Sequence, residues 1–177
     1  MSAPAPALAP AGSGSVRELV LASAMVALGV VTPIVFHMLG LGRTFLPMHL
    51  PVLLAALLVR PGTAAMAAVV TPWLSSFMTG MPPAPIAVLM SFELAALAVV
   101  ASGLLRVRVP GPVAVAAAVA ARCAVTFVVG SALGRWLGLP PNAAGWASIV
   151  AGAPGIALQL VTAAPAAAYV RRRMQEG

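Results

Sequence analysis

The sequence predicts an all-α integral membrane bundle of six transmembrane helices, with a short second helix and both termini in the cytoplasm. Three observations carry this prediction. Of 177 residues, 62% are hydrophobic and only 7% charged, whereas soluble domains carry roughly 25% charged residues. Apolar runs separated by proline and glycine turns recur at about 17–38, 47–60, 62–79, 86–105, 112–134 and 146–170. All ten basic residues are arginines, and most sit beside these runs. The net charge of +7 therefore reads as membrane topology rather than as a nucleic-acid footprint.

Residues 1–15 (MSAPAPALAPAGSGS) are almost wholly Ala, Pro, Gly and Ser, too few core-forming residues to bury a core, and composition predicts a disordered tail. No basic segment precedes an apolar one there, so the pattern is not that of a signal peptide. A single membrane domain is expected over 16–173, with a short tail at 174–177.

The first run carries Ser23 and Ala27 four residues apart, on one helix face, where small side chains allow close approach of another helix. That helix is either part of the same bundle or belongs to another membrane subunit. Pro33 predicts a kink toward the outer end. The second run, 47–60, is short. Fourteen helical residues span roughly 21 Å, less than the roughly 30 Å of hydrocarbon. Proline-rich breaks flank the second and third runs, Leu46-Pro47-Met48-His49-Leu50-Pro51 before them and Thr79-Gly80-Met81-Pro82-Pro83 after. Backbone that is not helical at membrane depth survives only when protein buries it or when it lines a wet cavity. A cavity is therefore expected at the end of the bundle where both breaks lie.

The arginines orient the bundle. With six spans, one side holds Arg17, Arg60, Arg106, Arg108, Arg171, Arg172 and Arg173, and the other holds Arg43 and Arg135. The excess marks the cytoplasmic side, so both broken loops and the expected cavity face outward. Trp136 and Trp146 flank an outer loop, as interfacial aromatics do.

Ionisable residues inside a span mark functional sites by default. Glu93 lies about two turns into the fourth run and Arg122 near the middle of the fifth. They either lock two helices as an ion pair, meet a polar ligand, or do both. His49 stands at the entrance of the short second helix. Trp73 and Ser76 lie on the outer half of the third, and Asn142 in the outer loop. Arg43 is a headgroup anchor or a collector of anionic ligand. These residues, Arg43, His49, Trp73, Ser76, Glu93, Arg122 and Asn142, form the expected substrate-binding set. Gln159 and Thr162 are expected to bond between helices.

Other chemistries lack their residues. The single Cys123 excludes an internal disulfide and a cysteine zinc site. His37 and His49 have no acidic neighbour in sequence, so no metal or other cofactor is expected. There is no phosphate-binding Gly-x-x-x-x-Gly-Lys loop and no Gly-x-Ser-x-Gly or His-Glu-x-x-His motif. With no aspartate and one glutamate inside the spans, a catalytic carboxylate pair is impossible, and an enzyme is not expected.

The run Phe45-Leu46-Pro47-Met48-His49-Leu50-Pro51-Val52-Leu53-Leu54-Ala55, then Leu74-Ser75-Ser76-Phe77-Met78-Thr79-Gly80-Met81-Pro82-Pro83 and Phe92-Glu93-Leu94-Ala95, resembles the S components, or vitamin-capture subunits, of energy-coupling factor (ECF) transporters. The resemblance extends from about residue 17 to 172. It implies an outward-facing vitamin site beneath the loops between helices 1–2 and 3–4. It also implies a membrane coupling (T) subunit and two cytoplasmic ATPase subunits as partners, in the plasma membrane. Members of that family carry Ala-x-x-x-Ala in the first helix for docking the coupling subunit; Ser23-x-x-x-Ala27 is the nearest match here. Where the family has Gly-Pro after the second helix, this chain has Arg60-Pro61-Gly62. The alternatives are a stand-alone small-solute facilitator and, less favoured by the residues present, a membrane enzyme or cofactor carrier using His37 and His49.

Overall fold

The computed structural model describes residues 16–134, 136, 138–139 and 145–176, with Arg43 and Leu133 described by backbone alone. Among these residues every regular element is helical: α1 (Val16–Met38), α2 (Gly42–Phe45), α3 (His49–Leu58), α4 (Pro61–Thr79), α5 (Ala84–Arg106), α6 (Gly111–Leu133), α7 (Gly145–Ala151) and α8 (Ala153–Glu176). Helices α1, α5, α6 and α8 are long and apolar enough to cross a membrane. Large apolar side chains such as Val31, Phe77, Val128 and Val161 are exposed around the bundle, the surface of a membrane-embedded protein. Helix α4 has 19 residues, but Thr71, Pro72, Ser75 and Ser76 dilute its apolar character.

The short helix is the centre of the structure. α3 packs against α1, α4, α5 and α8, and seven of its ten residues are buried. It starts after Leu46, which adopts the left-handed conformation (φ 49°, ψ 53°). It ends at Val59, just before Arg60-Pro61, because a residue preceding proline is driven out of the helical region. Pro61 then opens α4 at a position where its missing N–H costs nothing. The Glu18 carboxylate accepts hydrogen bonds from the Arg60 N–H (2.7 Å) and the Thr63 hydroxyl (2.9 Å). It thereby places a negative charge at the N-terminus of α4, where the helix dipole favours one.

Around α3 the long helices present small residues inward at helical spacing. On α6 the buried positions are Ala114, Val115, Ala118, Val119, Arg122, Thr126 and Gly130, a single stripe of one helix face. On α5, Leu89, Glu93 and Leu97 are buried four residues apart. Each ionic residue thus lies on the core face of its helix.

Two expectations need correcting. The sixth run is not one helix: α7 and α8 meet at Gly152. Pro154 has no N–H to continue the ladder, and the segment is drawn against the Phe45 backbone and the Leu46 side chain. A methyl group on Gly155 would lie 2.5 Å from the Phe45 carbonyl carbon, and one on Gly152 2.7 Å from a Leu46 methyl. Helix α8 also continues to Glu176, through most of the stretch expected as a tail. Secondly, Gln159 and Thr162 make no bond between helices. Thr162 donates to the Leu158 carbonyl of its own helix (2.7 Å). Gln159 is buried, and its amide has no protein hydrogen-bond partner among the described residues.

Ten helical residues cover about 15 Å, half of a hydrocarbon core. Cavities lie at both ends of α3. One opens beside its N-terminus, between the two proline-rich loops, and the other beside its C-terminus, among arginines. The sequence predicts only the first.

Candidate functional site

The N-terminal cavity has a volume of about 540 Å³. Its walls come from the C-terminal part of α1 (Pro33, His37), the 40–49 segment, the 81–83 loop, α5 (Ile86, Leu89, Met90, Glu93) and α7 (Ser148, Ala151). The two proline-rich breaks therefore face each other across one space. The lining is mostly aliphatic and proline, with polar groups confined to a few positions, the composition typical of small-molecule sites.

Local chemistry shapes both rims. On one side the His37 ring lies over Gly42, where a methyl group would come within 2.6 Å of it. Phe36 meets Phe45 at 5.8 Å between ring centroids. These contacts fold the 39–46 segment back onto α1. On the other side the Ser75 hydroxyl donates to the Met81 carbonyl (2.7 Å), the Thr79 hydroxyl donates to the Ser75 carbonyl (2.8 Å), and the Met81 N–H donates to Thr79 (3.2 Å). Gly80 supplies the left-handed residue (φ 72°) that ends α4. The second rim is therefore a tied lip rather than a free loop.

Glu93 is the charged residue of the cavity wall and lies nine residues into α5, about 14 Å along the helix from Ala84. Its Oε2 is 3.5 Å from His49 Nε2 and 3.9 Å from Arg122 Nη1. All three side chains are buried. One carboxylate thus answers one guanidinium and faces one imidazole, which keeps the buried charge close to balanced. Arg122 Nη2 also contacts Cys123 Sγ at 3.5 Å. Neither His49 ring nitrogen nor Arg122 Nε has a hydrogen-bond partner among the described residues. Unused donor and acceptor capacity therefore sits at the inner end of an aliphatic cavity. This arrangement is chemically suited to a solute with an apolar body and a polar group. Among the described residues no cluster of three or more histidine, cysteine or acidic side chains is arranged to hold a metal ion.

The structure brings His49 and Glu93 to the cavity and places Arg122 behind Glu93. Trp73 and Ser76 do not line it. Trp73 stacks beside Phe77 (6.2 Å between centroids), and the residue of that turn that faces inward is Ser75, not Ser76. The Arg43 side chain and Asn142 lie outside the described residues, as does Arg135. Ser23 and Ala27 are exposed, whereas Ala22, Gly29, Val30 and Pro33 form the packed face of α1. The bundle does not use the small pair for its own packing. The expected substrate-binding set did not include Ser75, His37 or Ser148. The spacing Ser75-x-x-x-Thr79-x-Met81 is the signal that would have found the tied lip, because hydroxyls at the end of a helix bond backward and across the turn.

Comparison of the chain with protein-family models, with curated proteins and with solved structures gives no match.

Proposed function

We propose that this chain is the substrate-capture subunit of an ECF-type importer. In this reading it crosses the plasma membrane six times, with α3 as the short second span and both termini cytoplasmic. It takes a small vitamin-like solute from outside into the α1–α5 cavity. A membrane coupling subunit and two cytoplasmic ATPases then drive release inward. The observation that carries this reading is the buried Glu93–His49–Arg122 group beneath an aliphatic cavity, rimmed by the two non-helical segments of the bundle. The arginine distribution supports the orientation, since the cavity lies at the end opposite Arg17, Arg60, Arg106 and Arg171.

The chain's own residues divide the work. The aliphatic walls exclude water from the solute's body, and His49 offers hydrogen bonds to its polar group. Arg122 holds the Glu93 carboxylate, so that the wall of the site carries a carboxylate already neutralised before a solute arrives. The 39–46 segment, held among the described residues by ring and glycine contacts rather than by cross-chain side-chain hydrogen bonds, is the rim that moves; the Ser75-tied lip is the rim that stays.

Hydrogen exchange tests this reading. Protein purified with its solute is compared with protein stripped of it. Amides at 39–50 are expected to gain protection when solute is present, with a smaller gain at 80–85, because both segments cover one space and only the second is already tied. Protection confined to other segments would place the solute elsewhere.

A further inference from the structure

The cavity at the C-terminal end of α3 is about 460 Å³ in volume and is lined by Arg17, Glu18, Arg60, Arg106 and Arg171 over apolar walls that include Leu21, Leu57 and Leu105. Four guanidinium groups and one carboxylate leave a net charge of +3. The carboxylate is already committed. Glu18 accepts from the Arg60 N–H and from Thr63, and its Oε2 lies 3.5 Å from Arg60 Nε. Arg17 and Arg171 donate to the neutral carbonyl oxygens of Met174 and Leu57, which orients these guanidiniums without answering their charge. Arg106 makes no hydrogen bond or ion pair among the described residues and is exposed. Three positive charges from α1, α5 and α8 therefore meet at one cleft with no carboxylate partner among the described residues.

We infer that this cleft binds the phosphate headgroup of an anionic phospholipid. Guanidinium groups match phosphate oxygens in charge and in fork geometry, and basic pockets between membrane helices are the kind of site that anionic headgroups fill. Two observations favour a lipid over a soluble anion. The cleft lies toward the ends of α1, α5 and α8, helices long and apolar enough to cross a membrane, where headgroups would stand. The cleft also carries its own apolar wall of Leu21, Leu57 and Leu105, a surface for acyl chains beside the guanidiniums. The bound lipid bridges α1, α5 and α8 at the end of the bundle where the central helix stops short. This proposal is independent of the solute reading and needs only that the arginine-rich end meets a membrane surface.

The test uses the full chain, delipidated in detergent and titrated with phosphatidylglycerol or phosphatidylcholine of identical acyl chains, with bound lipid read by native mass spectrometry. The wild type is expected to bind phosphatidylglycerol at least about tenfold more tightly, each arginine contributing about fivefold. Arg106→Gln is expected to cost about fivefold of that preference, Arg106→Lys to keep most of it, and Arg17→Gln with Arg106→Gln to cost about 25-fold. Arg106 is exposed and supports no fold contact, so its variants keep the fold, which a thermal melt verifies. Arg172→Gln removes the same charge outside the cleft and is expected to leave the preference unchanged. Equal binding of both lipids to the wild type, equal losses in Arg172→Gln and Arg106→Gln, or displacement of phosphatidylglycerol by equimolar inorganic phosphate would each overturn the assignment.

Discussion

Glu93→Gln is expected to destabilise the protein by about 3–5 kcal/mol, the cost of leaving a buried charge without its partner, and to abolish solute retention. The Arg122 guanidinium lies inside the bundle, 3% exposed, with Glu93 as its acidic partner at 3.9 Å. Glutamine fits the same space but carries no charge, so the substitution isolates electrostatics from packing. The double variant Glu93→Gln, Arg122→Gln removes both charges. It is expected to recover most of the lost stability, since a buried ion pair replaced as a pair costs little, while still failing to retain solute. Thermal melting and solute retention, measured in detergent on the same preparations, separate the two effects. A double variant that is stable and retains solute at the wild-type level would reduce the pair to a structural clamp.

Ala27→Leu is expected to abolish ATP-coupled uptake and to leave solute binding by the isolated chain intact. Ser23 and Ala27 are exposed on α1 and separate from its packed face of Ala22, Gly29, Val30 and Pro33. A larger side chain there meets no atom of the bundle, so the fold has no reason to suffer. It blocks close approach of an outside helix, which small residues at i and i+4 permit. Uptake in cells producing the proposed coupling subunit and ATPases, set against solute binding by purified variant, reads the two activities apart. Normal uptake would remove this face from the partner interface. Loss of both activities would indicate misfolding instead.

Helix positions were legible from the sequence wherever apolar runs met prolines. Arg60-Pro61 and Pro110 mark the starts of α4 and α6, and the boundaries of α1, α4 and α5 lie within two residues of those expected. The break at Gly152 was not legible, because it depends on how closely 152–155 approaches the Phe45 backbone and the Leu46 side chain, a contact between distant parts of the chain. The Glu93–Arg122 proximity could be argued from depth alone: an ionisable group inside an apolar span needs a partner, and each was the other's nearest candidate. The place of His49 beside Glu93 required knowing that α3 runs up the middle of the bundle. Trp73 and Ser76 were chosen by residue type. A shift of one residue turns a helical side chain by about 100°, enough to exchange Ser76 for Ser75. The arginine-lined cleft was hidden because its residues come from four separate turns and helix ends, each of which reads locally as an ordinary topology signal.

The central claim is that the cavity between α1 and α5 holds a solute, and the most direct measurement is mass spectrometry of small molecules released from the purified protein. The expected result is one solute enriched in wild-type preparations, in roughly equimolar amount to the chain, and lost when Ile86→Trp fills the cavity from the exposed start of α5 while the thermal melt stays unchanged. A solute retained equally by the filled variant, or no enriched molecule in wild-type protein that has never been stripped, would contradict it.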